Sequence, residues 1–283
     1  MMPELPEVEI LVRHLEPLLV DRAVRTVRVS RPKILAPTPV GEFTDALVGA
    51  RFESVCRRGK YLLFTLRRPA GRGRLLLLGH LGMTGRMYVR PPAPPPKHAA
   101  VVLDLGAEEL LFEDTRYFGR LTLDTRPVAK LGPEPLGRAF STRQFREALA
   151  RSAQPVKVKL LDQGLVAGIG NIYASEALFR AGISPRLPAR NLRSEQVAAL
   201  RRSIREVLSE AITRGSTVPP DHLGTRRNGA VSEGAEAAYG DSSAEWLRVY
   251  ERAGRPCLRC RAPIERLVQA GRSTYYCPVC QEA

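Results

Sequence analysis

Val156-Lys157-Val158-Lys159-Leu160-Leu161-Asp162-Gln163 runs through Gly164 to Gly170 into Asn171-Ile172-Tyr173-Ala174-Ser175-Glu176-Ala177-Leu178-Phe179. Apolar residues on both sides of a glycine-punctuated turn predict two helices meeting at a corner. Gly168 and Gly170 allow close backbone approach there, and amides at the start of the second helix offer a phosphate site to which Asn171 adds a side-chain donor. A packed helical hairpin is the plain alternative; the positions of the glycines and the asparagine favour binding.

Working outward, the stretch before this corner reads as strands: Val24 to Val29, Phe52 to Leu66, Leu75 to Leu78, Ala100 to Leu105 and Glu109 to Leu123. A β-sandwich or barrel is expected, interrupted by an exposed connection at Pro91 to Pro96, where proline removes ladder donors. Ahead of it Val8, Leu11, Val12 and Leu15 recur at helical spacing, with Pro6 suited to a first helical turn. Beyond Pro133 the pattern is helical, with Ser141 or Thr142 capping Gln144 to Ala150 and Ser194 preceding Glu195 to Ile212. Arg214 to Ser243 has no apolar period and is expected to be a long mobile loop. The fold class is therefore α+β, an N-terminal β-sandwich preceded by a helix and followed by a helical region. The expected domains are 1–131, 132–250 (holding loop 214–243) and 251–283.

The 283 residues include 44 Lys and Arg against 29 Asp and Glu, a net charge of +15. Such an excess points to a polyanion, nucleic acid first, because each phosphate contact releases condensed counterions. No apolar run reaches the length of a membrane span, and the glutamates near the front do not suit a signal peptide, so a cytoplasmic protein without a membrane partner is expected. Of five cysteines, Cys257, Cys260, Cys277 and Cys280 form two C-x-x-C pairs separated by sixteen residues. That spacing presents four thiolates tetrahedrally to one structural zinc ion. Between the pairs, Ile264 to Val268 and Ser273 to Tyr276 are expected to be strands turning at Ala270-Gly271, with Arg272 near the tip and suited to phosphate contact. Cys56, left over in an alternating segment, is expected to be a small buried hydrophobe.

At the front, Met1-Met2-Pro3-Glu4-Leu5-Pro6-Glu7 would leave a secondary amine as the N-terminus if the initiator region were trimmed. An α-amino group titrates at roughly pH 7.7–8.0, so a neutral fraction is present for attack on carbonyl-like carbons. Glu4 and Glu7 would then be proton-transfer partners. Taken alone, the stretch reads first as a disordered tip, with the two carboxylates complementing a helix dipole.

PELPEVE at the front, GIGNIYASEALF at the corner and GRSTYYCPVCQ at the end together resemble the bacterial formamidopyrimidine-DNA glycosylases of the Fpg/Nei family, over nearly the entire chain. The resemblance implies a helix-two-turn-helix domain with a zinc-finger hairpin, and an enzyme that removes oxidised purines from damaged double-stranded DNA and cuts at the abasic site. It implies Pro3 as nucleophile, Glu4 as the acid that assists sugar opening, Glu7 as support and Lys60, in Arg57-Arg58-Gly59-Lys60-Tyr61, near the lesion and its phosphate. Met83, Arg116 and Phe118 match the positions that fill the void left by an everted base, and His80, Lys157, Asn171 and Arg272 match phosphate contacts. A bacterial, nucleoid-associated monomer is expected. The family begins Met-Pro, so translation is expected to start at Met2. Gly215 to His222 departs from the family's GTTLKDF, and Val249-Tyr250-Glu251-Arg252 from its VYGR. The alternatives are a Nei-like glycosylase for oxidised pyrimidines and a catalytically silent zinc-dependent DNA-binding protein.

Overall fold

Glu4 and Glu7 close the first turn of helix α1 (Leu5–Leu19) in a reciprocal capping box: the Glu4 amide donates to Glu7 Oε2 at 2.8 Å, and the Glu4 carboxylate accepts the Glu7 amide. Val8, Leu11, Val12 and Leu15 are buried on its inner face, as the helical period predicts. The computed structural model describes residues 3–71, 73–215, 226–227, 230–231 and 246–281. Met1, Met2 and most of the expected loop 214–243 lie outside the described residues.

Beyond α1 come β1 (Thr26–Val29), α2 (Val40–Leu47), β2 (Arg51–Arg58), β3 (Tyr61–Arg67), β4 (Arg74–His80), β5 (Gly85–Arg90), β6 (Ala99–Asp104), β7 (Glu109–Asp114), β8 (Arg120–Thr122) and the short α3 (Arg126–Ala129). The strands form two antiparallel sheets of four, ordered β1-β6-β7-β5 and β2-β3-β4-β8. Phe52, Leu62 and Phe64 from one sheet share a buried apolar cluster with Met87, Val101 and Phe112 from the other and with α1.

The structure refines the strand reading. Phe52 to Leu66 is two strands, because Gly59 at φ 56° turns the chain between them. Glu109 to Leu123 is likewise cut after Asp114. The unforeseen β5 lies between Gly85 and Pro91, too short for a period to stand out. Cys56 is exposed, not buried as expected. A register shift between Phe52 and Ser54 moves the buried positions of β2 to Phe52 and Val55, which turns Cys56 to the outer face opposite Leu63.

The remaining elements are α4 (Thr142–Ala150), α5 (Val156–Leu160), α6 (Asn171–Ala181), α7 (Ser194–Thr213), a two-residue ladder of β9 (Arg226–Arg227) with β10 (Ala230–Val231), and the hairpin of β11 (Glu265–Gln269) with β12 (Arg272–Tyr276). Ser141 caps α4 by accepting the Gln144 amide at 3.3 Å. Gly182 ends α6 in the left-handed conformation. Helix α7 buries Val197, Leu200, Ile204, Val207 and Leu208. The described residues separate into two compact units: the first ends at Ala129 and also takes β9 and β10, and the second is Lys130–Thr213 with 246–281. Among the described residues, no helix is long and apolar enough to cross a membrane.

Candidate functional site

In the first unit, the candidate nucleophile Pro3 is half-buried directly ahead of the capping box, whose carboxyl groups are almost enclosed: Glu4 is 2 % exposed and Glu7 4 %. The next turn of α1 is tied to β2 by an ion pair from Arg57 Nε to Glu9 Oε2 at 2.8 Å; burial pushes the Glu9 carboxyl up, but Arg57 and Arg13 together hold it below the usual range. Lys60 sits at the β2–β3 turn. Across the sheet, Tyr61 pairs with His80 in the β3–β4 ladder and their rings lie 4.7 Å apart. His80 Nδ1 accepts the Gly82 amide at 3.1 Å, which leaves the ring proton on Nε2 as a donor. Burial pushes the His80 pKa down to about 4, reinforced by the positive charges of Lys60 and Arg120. Lys60 and His80 thus form one electropositive group in which the imidazole stays neutral.

Met83 and the pair Arg116 and Phe118 lie on two chain crossovers between the sheets. Residues 81–84 carry the chain from β4 to β5, and 115–119 carry it from β7 back to β8; β4 pairs with β8 and β5 with β7. Met83 is half-buried. Phe118 is 51 % exposed, and Arg116, also exposed, stacks its guanidinium 4.8 Å from the Phe118 ring centre. An exposed phenylalanine under an arginine is not a core residue.

In the second unit, Gln163 locks the α5–α6 corner: its amide donates to Ile169 O at 2.8 Å and its Oε1 accepts the Gly168 amide at 2.9 Å. Gly168 is at φ 87°, a conformation that favours glycine. Lys157 is fully buried, and its ammonium donates to Asn171 Oδ1 and to the backbone carbonyl of Ser273. Asn171 Nδ2 donates to the same carbonyl at 2.9 Å. The corner and the β11–β12 hairpin therefore share one acceptor. At the hairpin tip Ala270 and Gly271 both have positive φ, 46° and 71°, the requirement of a tight two-residue turn, and Arg272 is exposed beside it.

The Sγ atoms of Cys257, Cys260, Cys277 and Cys280 lie within 4.8 Å of one another, with Cys257 to Cys280 at 3.9 Å and Cys260 to Cys277 at 3.4 Å. Four thiolates bound at about 2.3 Å around one tetrahedral ion would stand roughly 3.8 Å apart. The Arg259 and Cys280 amides donate to Cys257 and Cys277 sulfur, each at 3.4 Å, as knuckles holding thiolates do. The donor set fits one structural zinc ion.

Three family models match the chain: the formamidopyrimidine-DNA glycosylase N-terminal domain over residues 2–121, the H2TH domain of the same enzymes over 131–220, and the zinc finger found in FPG and IleRS over 254–283. The chain belongs to the formamidopyrimidine-DNA glycosylase family. Glycosylases of this name from Desulfitobacterium hafniense and Thermus thermophilus are each 42% identical, the first over 99% of this chain and 100% of the relative, the second over 99% and 98%. The Lactococcus lactis Fpg in complex with abasic-site DNA superposes with a TM-score of 0.85 at 34% identity, covering 99% of this chain and 100% of that one. Its complex with DNA containing N7-benzyl-Fapy-dG gives 0.85 at 33%, with the same coverage.

Within this glycosylase framework, several residues escaped the sequence reading. Asp114 and Gln163 act mainly on backbone groups and Ser273 acts through its own backbone carbonyl, none of which leaves a signature in side-chain pattern; the nearest signal for Gln163 is its place just ahead of the glycine turn. Glu176 is a polar residue on a helix whose neighbours are buried apolar side chains. It is 2 % exposed, and its carboxylate accepts the amides of Arg248, Val249 and Tyr250 at 2.8–2.9 Å. Burial raises its pKa while those three donors oppose the shift. Glu251 takes φ 57° in the turn that follows.

Proposed function

We propose that the chain is a bifunctional DNA glycosylase and abasic-site lyase that removes oxidised purines from duplex DNA, acting as a monomer in the bacterial cytoplasm and on the nucleoid. Residues 1–131 would carry the chemistry, 132–250 the helix-two-turn-helix contacts with loop 214–243 over the lesion, and 251–283 the finger. The Pro3 nitrogen, once it is the N-terminus, attacks C1′ of the damaged nucleotide; the C1′–base bond breaks and the base leaves with the proton of the amine, and when the C1′–O4′ bond then breaks, with O4′ taking a proton, the open sugar stays attached to Pro3 as an iminium. Glu4 supplies the proton that opens the sugar ring and serves later proton transfers, and Glu7 holds the Glu4 backbone in place. Lys60 and His80 receive phosphate next to the reacting sugar, with His80 contributing a neutral Nε2–H donor. Met83, Arg116 and Phe118 occupy the space vacated by the everted base. Asn171 and Arg272 meet phosphates from the second unit; Lys157, expected to be a phosphate contact itself, is fully buried, and its part is instead to orient Asn171.

The observation that carries this reading is the pair of nearly enclosed carboxyl groups directly behind Pro3, in a chain matched end to end by glycosylases. The Lactococcus complexes with abasic-site and benzyl-Fapy-dG DNA support purine lesions; a third complex of that enzyme contains an oxidised pyrimidine, which makes the lesion panel part of the test. Protein with a mass-verified Pro3 N-terminus should be trapped covalently on purine-lesion duplex by borohydride, and a form retaining methionine ahead of Pro3 should not. Absence of trapping by the Pro3 form sinks the mechanism, and trapping confined to oxidised pyrimidines favours the Nei-like alternative.

A further inference from the structure

The crossovers carrying Met83 and Phe118 are locked by one carboxylate. Asp114, at the end of β7, is 0 % exposed. Its Oδ1 accepts the Thr84 hydroxyl at 2.5 Å, from the first crossover, and the Arg116 amide at 3.1 Å, from the second. Its Oδ2 accepts the Gly119 amide at 2.8 Å. The two backbones are also in direct contact: a Cβ on Gly82 would lie 2.7 Å from Gly119 N, and one on Gly119 would lie 2.9 Å from His80 O. Gly82 is in addition at φ 64°.

We propose that Asp114 and Thr84 are positioning residues that make the Met83 turn and the Arg116–Phe118 loop a single preorganised wedge, so that the cost of unstacking a base is met by a surface already in shape. This rests on the role given above to Met83, Arg116 and Phe118. Separate tips would each have to be ordered during base extrusion, and fixing the backbone of two loops costs conformational entropy at that step. A charge-assisted hydrogen bond across the crossovers removes that cost in advance. Neither residue is placed to touch the reacting sugar, so the effect belongs to extrusion and not to bond breaking.

The test compares excision of a lesion base from duplex with cleavage of an abasic site already formed in a single strand, which requires no base to be unstacked. Thr84→Val removes the hydroxyl and nearly conserves volume; Thr84→Ser keeps the hydroxyl. Thr84→Val should lower single-turnover base excision about tenfold or more while leaving abasic-strand cleavage within about twofold, and Thr84→Ser should restore excision. Stopped-flow fluorescence of 2-aminopurine beside the lesion should show the loss in the extrusion phase. Equal losses on both substrates, unchanged excision in Thr84→Val, or failure of Thr84→Ser to rescue would each overturn the proposal. Wild-type protein that neither excises nor is trapped would overturn the proposed function itself, a result distinct from an active wild type with an indifferent Thr84→Val.

Discussion

His80 makes the pH behaviour of the first unit specific. Its imidazole is neutral in the fold, with the pKa lowered from 6.5 to about 4 by burial first and by Lys60 and Arg120 second. Between those values the unfolded chain binds a proton that the folded chain refuses. Its contribution is therefore fully present above about pH 6.5 and is lost as the pH falls towards about 4, roughly 3 kcal/mol in all. His80→Gln, which can still accept the Gly82 amide, should flatten that dependence when urea unfolding is compared at about pH 7 and about pH 4.5; an unchanged slope would contradict the buried neutral imidazole. At this scale some of the candidate site was legible and some was not. Phe118 shows why: composition assigns a phenylalanine in a β-rich half to the core, and only its motif pointed outward, where the structure has it 51 % exposed. Cys56 misled for the opposite reason, because alternation was read without the register shift that reverses its face. Asp114 and Gln163 leave little trace in a sequence, since most of what they bind is backbone and the one side chain that Asp114 meets, Thr84, is thirty residues away.

Among the elements, regular periods were readable and irregular joins were not. The finger hairpin could be read because its turn chemistry and cysteine spacing are local, and α1 because four apolar residues repeat at helical spacing. Strand β5 and helix α2 are short, and their apolar positions make sense only against partners distant in sequence: β5 pairs with β7, and Phe43 and Leu47 of α2 enter the sandwich core. The turn after Val249 gives an element-scale prediction. Glu251 adopts φ 57°, a left-handed conformation that costs a side-chain-bearing residue about 1–2 kcal/mol. Glu251→Gly should therefore stabilise the second unit by about 1 kcal/mol, part of the relief being offset by the greater freedom glycine gives the unfolded chain. Thermal unfolding resolves such a difference, and a destabilised variant would show that the Glu251 side chain has a role of its own.

For the whole molecule, two units with separate cores predict separable failures. Removing zinc with a chelator, or replacing Cys277 with Ser, should release the hairpin and weaken duplex DNA binding about tenfold or more at fixed salt, while the unfolding transition of the first unit stays in place. Undiminished affinity after metal analysis has verified the loss would refute this. The net charge of +15 makes the salt concentration part of any such measurement. The damage would reach beyond Arg272, because Lys157 and Asn171 share the Ser273 carbonyl as acceptor. That sharing makes the finger a keystone set at a distance: Ser273 stands on the strand leading into Cys277, so loss of the ion would also withdraw the acceptor on which Lys157 and Asn171 close the α5–α6 corner.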